Sequence, residues 1–304
     1  MKTIIKTTAI AICTFIATAV QAQQLVVFKE NGKAGFKDQS GKVIIAPKYD
    51  DYRTKDASRT KDDEVYRVAI NEKWGLIDGK TGKELTSLKY EKINAFSDGL
   101  AGVLLDLKWG FIDKNGKEVF PLKYDEPSAD GVYGLGYDFY DGIAVVSIGY
   151  KYGVIDKTGK EIVPFKYHSI GEFSEGMASI RLADKFGFVN KNGKEIVPAK
   201  YDDVQRFEDG FAKVSLAGKW GTIDKTGKEI IAVKYDDIHD FNRGLACVGI
   251  GDNWGYVDTT GKEVIPLKFE ETFWADENTI HARKADGTVV KFDKKGNELK
   301  KENR

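Results

Sequence analysis

The sequence predicts an all-β protein built from tandem repeats of about 34 residues, which we expect to form an open β-solenoid or superhelix of hairpin units. Three features predict this fold: a recurring aromatic–glycine pair, a recurring turn after that pair, and short segments in which apolar and polar residues alternate. Beyond the N-terminal segment no apolar period of 3.6 residues reaches a useful length, so we expect no long helix there.

A secretory signal peptide is predicted at 1–22. Lys2 and Lys6 give a positive start, and an uncharged apolar run follows from Thr7 to Val20. An uncleaved membrane anchor is the alternative, although the run is shorter than the roughly 20 residues that a spanning helix needs. We therefore expect cleavage before Gln23, export to the periplasm or the cell exterior, and no membrane insertion afterwards.

The charge balance of the remaining chain gives no strong attraction to polyanions. Without 1–22 it holds 45 Lys and Arg residues against 47 Asp and Glu residues, so neither nucleic acid nor an anionic membrane is an expected partner. Cys247 is the only cysteine left, which rules out an intramolecular disulfide. The chain carries no phosphate-cradling glycine loop, and we expect no cofactor.

An aromatic residue followed by glycine marks six inner units. The pairs are Trp74-Gly75, Trp109-Gly110, Tyr152-Gly153, Phe186-Gly187, Trp220-Gly221 and Trp254-Gly255. The last three steps between pairs are 34 residues each. Ala34-Gly35 and Val289-Val290 are degenerate copies at the two ends, so we expect residues 23–304 to form a single array of eight units.

A turn follows each pair. An Asp or Asn stands three residues before a glycine in seven units and four residues before it in one: Asp38/Gly41, Asp78/Gly82, Asp113/Gly116, Asp156/Gly159, Asn190/Gly193, Asp224/Gly227, Asp258/Gly261 and Asp293/Gly296. The side-chain oxygen accepts hydrogen bonds from the backbone ahead, and glycine adopts the positive φ of a type I turn with a bulge. We expect these acids to hold hairpin turns.

Short strands flank this turn. Ala212, Val214 and Leu216 alternate with polar neighbours, as in a half-buried strand. After the turn, four prolines are predicted to end the next strand, where a missing N–H is tolerated: Pro121, Pro164, Pro198 and Pro266. An aromatic residue preceded by lysine comes next: Tyr49, Tyr90, Tyr124, Tyr167, Tyr201, Tyr235 or Phe269. Each unit is expected to hold about three short strands.

The sequence resembles the WG-repeat family, also called KWG repeats. The residues that carry the resemblance are Lys73-Trp74-Gly75-Leu76-Ile77-Asp78, Lys108-Trp109-Gly110-Phe111-Ile112-Asp113 and Lys219-Trp220-Gly221-Thr222-Ile223-Asp224, with the Lys-Tyr-Asp segments that follow. The resemblance implies an interaction or structural module without a shared catalytic site. Tryptophan is absent from the motif at Ala34, Tyr152, Phe186 and Val289, which argues against an identical ligand site in every unit.

The end units favour an open stack over a closed ring. A large ring packed between two units buries about 150–250 Å². An end unit has one neighbour and less need of such a ring, and Ala34 and Val289 occupy the tryptophan position there. Because a closed ring would bring the end units together, we expect an open solenoid, with a β-propeller-like ring as the alternative.

Two repeated groups admit a functional as well as a structural interpretation. The Trp-Gly pairs resemble ligand-stacking motifs, but recurrence in every inner unit favours a packing ring beside a glycine that admits another backbone. The acidic pairs Asp50-Asp51, Asp202-Asp203 and Asp236-Asp237 offer oxygens to calcium, but they lack the ligand density of calcium loops, and solvated turns are favoured.

Two inserts interrupt the period. The one near Glu126 to Tyr140 is rich in aromatic residues, and insertions in repeats often lie on a binding face. Its candidate binding residues are Tyr133, Tyr137, Phe139 and Tyr140, although the loop folding onto its own unit is an equal alternative. The other, Arg53 to Glu64, is almost all charged or small and polar, which is typical of a surface loop.

We find no catalytic or metal-binding set and predict that the chain is not an enzyme. His168 and His239 fall at different repeat positions and lack metal-ligand spacing. Cys247 lies in an alternating segment and is interpreted as a core residue. A pair of carboxylates suited to glycoside hydrolysis is kept as an alternative, since Asp and Glu residues are numerous.

The expected function is an exported binding scaffold that recognises a protein or a polysaccharide through its repeat surface. A carbohydrate-active hydrolase with a hidden acid pair and a passive envelope spacer are the alternatives.

Overall fold

The computed structural model describes residues 24–54, 65–127 and 137–300, and all of their regular secondary structure is β-strand. The predicted signal peptide lies outside these residues. The strands form eight small antiparallel sheets, and none of these sheets closes into a barrel. The predicted all-β tandem-repeat fold is therefore confirmed. The described residues divide into two compact units, 24–88 and 89–300.

The first unit contains two three-stranded sheets that share one core. The first sheet consists of β1 (Val26–Glu30), β2 (Lys33–Lys37) and β3 (Val43–Tyr49), and the second of β4 (Asp51–Arg53), β5 (Val65–Ile70) and β6 (Lys73–Asp78). Phe36 and Tyr49 of the first sheet are fully buried together with Val68 and Ile77 of the second.

The second unit contains six sheets in chain order. The third sheet consists of β7 (Lys92–Ile93), β8 (Leu100–Leu105), β9 (Lys108–Asp113) and β10 (Glu118–Asp125), and the fourth of β11 (Ile143–Ile148), β12 (Lys151–Asp156) and β13 (Glu161–Tyr167). The fifth sheet consists of β14 (Ser169–Ile170), β15 (Met177–Leu182), β16 (Lys185–Asn190) and β17 (Glu195–Tyr201), and the sixth of β18 (Asp203–Val204), β19 (Phe211–Leu216), β20 (Lys219–Asp224) and β21 (Glu229–Tyr235). The seventh sheet consists of β22 (Asp237–Ile238), β23 (Leu245–Ile250), β24 (Asn253–Asp258) and β25 (Glu263–Phe269), and the eighth of β26 (Glu271–Trp274), β27 (Thr279–Arg283) and β28 (Val289–Asp293).

Two kinds of tight turn shape each of the first seven sheets, as in the sixth. Ala217 and Gly218 both have positive φ and join β19 to β20 in a two-residue turn. After β20, the Gly227 N–H donates to the Asp224 carbonyl at 2.9 Å, and Asp224 Oδ1 accepts from the Thr226 and Lys228 N–H groups at 2.8 and 3.1 Å. The predicted role of the turn acids is confirmed.

The glycine of each aromatic–glycine pair lies against the backbone of the segment that follows the next turn, which is a strand in every pair except Trp74-Gly75. A Cβ added to Gly187 would stand 2.3 Å from the Val197 carbonyl oxygen, and one added to Gly221 would stand 2.6 Å from the Ile231 carbonyl oxygen. The ladder between β20 and β21 shifts register at this point, so the bulged strand crosses directly over the glycine. A side chain at this glycine would force the backbone of the crossing strand to move.

The prediction that proline ends the third strand of a unit was wrong. Pro164 lies inside β13, which continues to Tyr167, and the other three prolines likewise lie inside β10, β17 and β25. The ladder shifts register within each of these strands, and each strand forms an edge of its sheet. A missing N–H is tolerated in an edge strand at a bulge, so the strand need not stop.

The core of the second unit lies between consecutive sheets. Phe188 and Tyr201 of the fifth sheet share one buried cluster with Val214 and Ile223 of the sixth. The next cluster joins the sixth and seventh sheets, and the Trp220 ring packs against it. The ring thus lies on a core that two sheets supply, which is the packing role that its recurrence favours.

We predict that Gly187→Ala lowers the free energy of unfolding by about 3 kcal/mol or more, because the new methyl group overlaps the carbonyl of Val197. Gly218→Ala is the matched control. Its Cβ meets no atom within 4 Å, so only the positive φ is penalised, by about 1 kcal/mol. Urea titration of both variants measures the difference, and equal losses would contradict the close-approach role.

Candidate binding surfaces

A single aspartate holds consecutive sheets together where the chain passes from one to the next. Asp202 stands between β17 of the fifth sheet and β18 of the sixth. Its Oδ1 accepts from the ammonium of Lys185 at the hairpin of the fifth sheet. Its Oδ2 accepts from the Ala217 N–H at 2.6 Å, in the hairpin turn of the sixth. These hydrogen bonds, with Lys185 first, hold the pKa of Asp202 below its usual range.

The same crossing clamp recurs along the chain. Three further aspartates each bind a lysine of one hairpin and a turn N–H of the next: Asp50, Asp125 and Asp236. The acidic pairs are therefore not simple solvated turns. In the pair Asp202-Asp203, the first carboxylate is the clamp and the second accepts from the Val204 N–H at 2.8 Å. The repeated 17-residue step from lysine to aspartate was the available signal in the sequence.

Histidine replaces the aspartate at one crossing. His168 Nδ1 accepts from the Ala183 N–H at 3.0 Å, while its Nε2 lies 2.7 Å from the ammonium of Lys151. A neutral imidazole with Nδ1 as acceptor carries its hydrogen on Nε2, which then faces another donor. The imidazole therefore accepts a hydrogen bond only from the turn N–H, whereas a carboxylate accepts from both the turn N–H and the lysine.

A row of exposed aliphatic side chains follows the hairpin tips of four consecutive sheets. The last residues of β11, β15, β19 and β23 are Ile148, Leu182, Leu216 and Ile250, which are 39%, 41%, 42% and 40% exposed. We call these four residues the tip row. Tyr150, in the turn after Ile148, is 80% exposed. Sequence reasoning assigned Leu216 only to a half-buried strand and missed the row, although its members are spaced 34 residues apart.

The structure separates the four aromatic residues proposed for the insert. Tyr133 lies outside the described residues. Tyr137 and Phe139 are buried between the third and fourth sheets, where Tyr137 meets Ser147 Oγ at 3.0 Å and Phe139 lies 4.9 Å from Phe111 between ring centroids. Burial raises the pKa of Tyr137 to about 12. Tyr140 is 56% exposed, so it alone of the described three presents its ring to solvent.

A cavity of about 460 Å³ opens between the sixth and seventh sheets. The rings of Phe211 and Phe241 form one wall, with centroids 4.7 Å apart. The Lys213 ammonium reaches across to Asp240 at 2.7 Å, and Thr222 pairs with Lys213 in the strand ladder below. No residue of this cavity was proposed from the sequence.

The residues with reactive side chains are dispersed. Cys247 lies in the core, as predicted, with its sulfur 3.2 Å from Thr272 Oγ1. His239 is exposed and lies 5.6 Å from the Trp254 ring. Among residues 24–54, 65–127 and 137–300, no group of three or more His, Cys, Asp or Glu side chains is placed to hold a metal ion.

Within the described part of the chain no helix has the length and apolarity to cross a bilayer.

The fold and its repeated clamp define a tandem all-β repeat protein. Comparison with protein families identifies the repeat. The WG containing repeat matches seven consecutive segments, 35–74, 74–108, 109–152, 152–186, 186–220, 220–254 and 254–278. The chain belongs to this family, as its sequence resemblance implied.

The chain is similar to several solved structures at low sequence identity and low TM-score. A eukaryotic initiation factor is 12% identical, with a TM-score of 0.37, over 91% of this chain and 84% of that one. Kluyveromyces lactis Hsv2p is 12% identical, with a TM-score of 0.33, over 80% and 92%. PorZ of Porphyromonas gingivalis, a bacterial surface component of the type-IX secretion system, is 10% identical, with a TM-score of 0.29, over 91% and 43%. No curated protein matches the chain.

We predict that His168→Asp raises the midpoint of thermal unfolding, because a carboxylate accepts from both Lys151 and the Ala183 N–H. The matched control, Asp202→His, should lower the midpoint by removing one half of an existing clamp.

The gain from His168→Asp should depend on pH. A carboxylate whose folded pKa is lowered, as at Asp202, stabilises the fold above the unfolded pKa of about 3.9. The difference in stability between His168→Asp and His168→Asn, which has no titrating group at this position, should therefore be full near pH 7 and shrink as pH falls below 4. A gain that persists unchanged at pH 2 would contradict the clamp.

We also predict that the Cys247 thiol reacts slowly with an aromatic disulfide reagent at pH 8 in the folded protein. Burial raises the pKa of this thiol and shields its sulfur, so the rate should be about 100-fold lower than in urea. Absorbance of the released thiolate measures both rates. Rapid labelling of the native protein would show that the sulfur is accessible.

Proposed function

We propose that the chain is a non-enzymatic, exported binding scaffold that presents the tip row to a protein or polysaccharide partner. The observation that carries this proposal is the repetition of a 39–42% exposed aliphatic residue at one position of four consecutive sheets. Single exposed apolar residues need no explanation, but a repeated set along one edge is typical of an interaction surface.

The crossing clamps support a binding role because they order this edge. Leu216 immediately precedes the turn residue Ala217, whose N–H is held by Asp202. Ile250 likewise precedes Gly251, whose N–H donates to Asp236 at 2.8 Å. A side chain beside a fixed turn loses little conformational freedom on binding, so less of the contact energy is lost to ordering.

Hydrogen bonds from nearby turn N–H groups, hydroxyls and lysines favour the charged form of the acidic side chains, which supports a binding scaffold over a glycosidase. Every resolved pKa shift of an Asp or Glu among the described residues is downward: Asp38, Asp50, Asp78, Asp125, Asp141, Asp156, Glu175, Asp202, Asp224, Asp236, Asp258, Asp276, Asp286 and Asp293. A glycosidase acid needs a raised pKa to stay protonated near neutral pH. These carboxylates are instead stabilised in the charged form.

We predict that replacing all four tip-row residues with threonine weakens partner binding by about tenfold or more, because the apolar contact surface is lost. Threonine is β-branched and favours strands, so circular dichroism and the unfolding midpoint should change little. Binding is measured by capture from an envelope extract and on a glycan array, followed by titration of the captured species.

The control carries threonine at three residues of similar exposure that lie outside the hairpin tips: Val119, Phe273 and Leu299. It should bind like the parent. Equal binding by the tip-row variant would show that the partner contacts a different surface. A parent that captures no partner in either format would favour a passive spacer.

A further inference from the structure

We propose that the cavity between the sixth and seventh sheets is a binding site for a neutral saccharide residue. This site is distinct from the tip row, because Phe211 begins β19 at the cavity whereas Leu216 ends the same strand at the tips. It does not depend on the tip row having a partner.

The cavity lies where one repeat position carries threonine instead of an apolar or aromatic residue. The residue after the aromatic–glycine pair is Thr222 in the sixth sheet, whereas the other inner sheets carry Leu76, Phe111, Val154, Phe188 and Tyr256, of which only Val154 is as small as threonine. Phe188 fills the space above the fifth sheet by packing edge-on against Phe207 at 4.9 Å. Threonine is too short for this contact, and the equivalent ring of Phe241 lies against Phe211 instead.

The floor of the cavity also departs from the repeat. Thr222 pairs with Lys213 in the ladder between β19 and β20. The corresponding partners in the other inner sheets of the second unit are uncharged: Gly102, Val145, Ser179 and Cys247. The Lys213 side chain is only 16% exposed and its ammonium is fixed by Asp240. The sixth sheet thus places a fixed hydrogen-bond donor, the Lys213 ammonium, at a position where the other inner sheets of this unit carry uncharged residues.

The lining favours a ligand that is neutral and rich in hydroxyl groups. Arg206 and Lys213 supply donors, and three acids supply acceptors, around the wall of phenyl rings: Glu208, Asp209 and Asp240. An ion of either sign would meet charges of its own sign here, and a purely apolar ligand would strip water from these charged groups without replacing its hydrogen bonds. A sugar ring offers an apolar C–H face to the phenyl wall and hydroxyls that donate and accept.

The volume fits one or two sugar residues. Ligand pockets enclose about 300–1,000 Å³, and this cavity lies near the lower end of that range at about 460 Å³. Glu208 and Asp240 are 69% and 77% exposed, so the cavity has an open polar rim. An open rim lets a longer chain enter with one residue seated inside.

The test is binding of neutral oligosaccharides to the mature chain. Oligomers of glucose, mannose, galactose and N-acetylglucosamine are screened on an array, and hits are titrated by calorimetry. The parent should bind at least one of them. Thr222→Phe, which installs the residue found in the third and fifth sheets, should fill the cavity and weaken binding at least tenfold. Thr222→Ser keeps the space and should retain binding.

Three further variants show whether sugar binding depends on this cavity. Val154→Phe makes the same kind of change two sheets earlier and should leave sugar binding intact. Lys213→Ser copies Ser179 and should weaken binding without filling the cavity. The tip-row variant should bind sugar like the parent, so failure of the scaffold proposal leaves this result unaffected. Absence of binding to every oligomer at millimolar concentration would overturn the proposal. Undiminished binding by a folded Thr222→Phe protein would overturn it as well.

Discussion

Within each of the two units, burial of one sheet against the next is the constraint on which the rest of the structure depends. A sheet of three or four strands, the longest eight residues, has too little apolar surface for a core of its own, so its buried face needs a neighbour. The clusters that join the fifth to the sixth sheet and the sixth to the seventh show how this need is met. Every other repeated feature places a sheet so that this contact forms.

The polar part of the motif serves the same contact. Asp202 stands at the one residue where the chain leaves one sheet for the next, and it ties both hairpins. Beside it, the Lys200 ammonium lies 4.8 Å from the centroid of the buried Tyr201 ring, and equivalent lysines lie over the aromatic ring that follows them at 4.9–5.7 Å. A cation over a ring adds about 0.5–1 kcal/mol at an exposed site. The Lys-Tyr-Asp segment thus connects consecutive sheets and stabilises their contact.

Much of the fold was predictable from the sequence because each turn and strand pattern recurs in several units. Asp224 and Gly227 predict a bulged turn from chemistry alone, and seven further copies made the hairpin assignment secure. The bulge at Pro164 was not predictable in the same way. Proline marks both strand ends and interruptions within edge strands, and only the pairing partner distinguishes the two. The clamp was hidden because its bonds span different sheets, although the lysine–aspartate spacing repeats.

The candidate sites were least accessible to sequence reasoning because they are departures from the repeat in three dimensions. The aromatic insert attracted attention by its composition, yet Phe139 occupies the same buried position as Phe207. Thr222, by contrast, is inconspicuous in the sequence, since threonine is an ordinary strand residue. Its importance appears only when the neighbouring sheet is placed opposite, because Thr222 cannot give Phe241 the ring contact that Phe188 gives Phe207, and the space remains open. Because consecutive sheets of this unit are similar, threonine in place of a ring at one packing position leaves space for a cavity, while the Asp202 and Asp236 clamps on either side of the sixth sheet are retained.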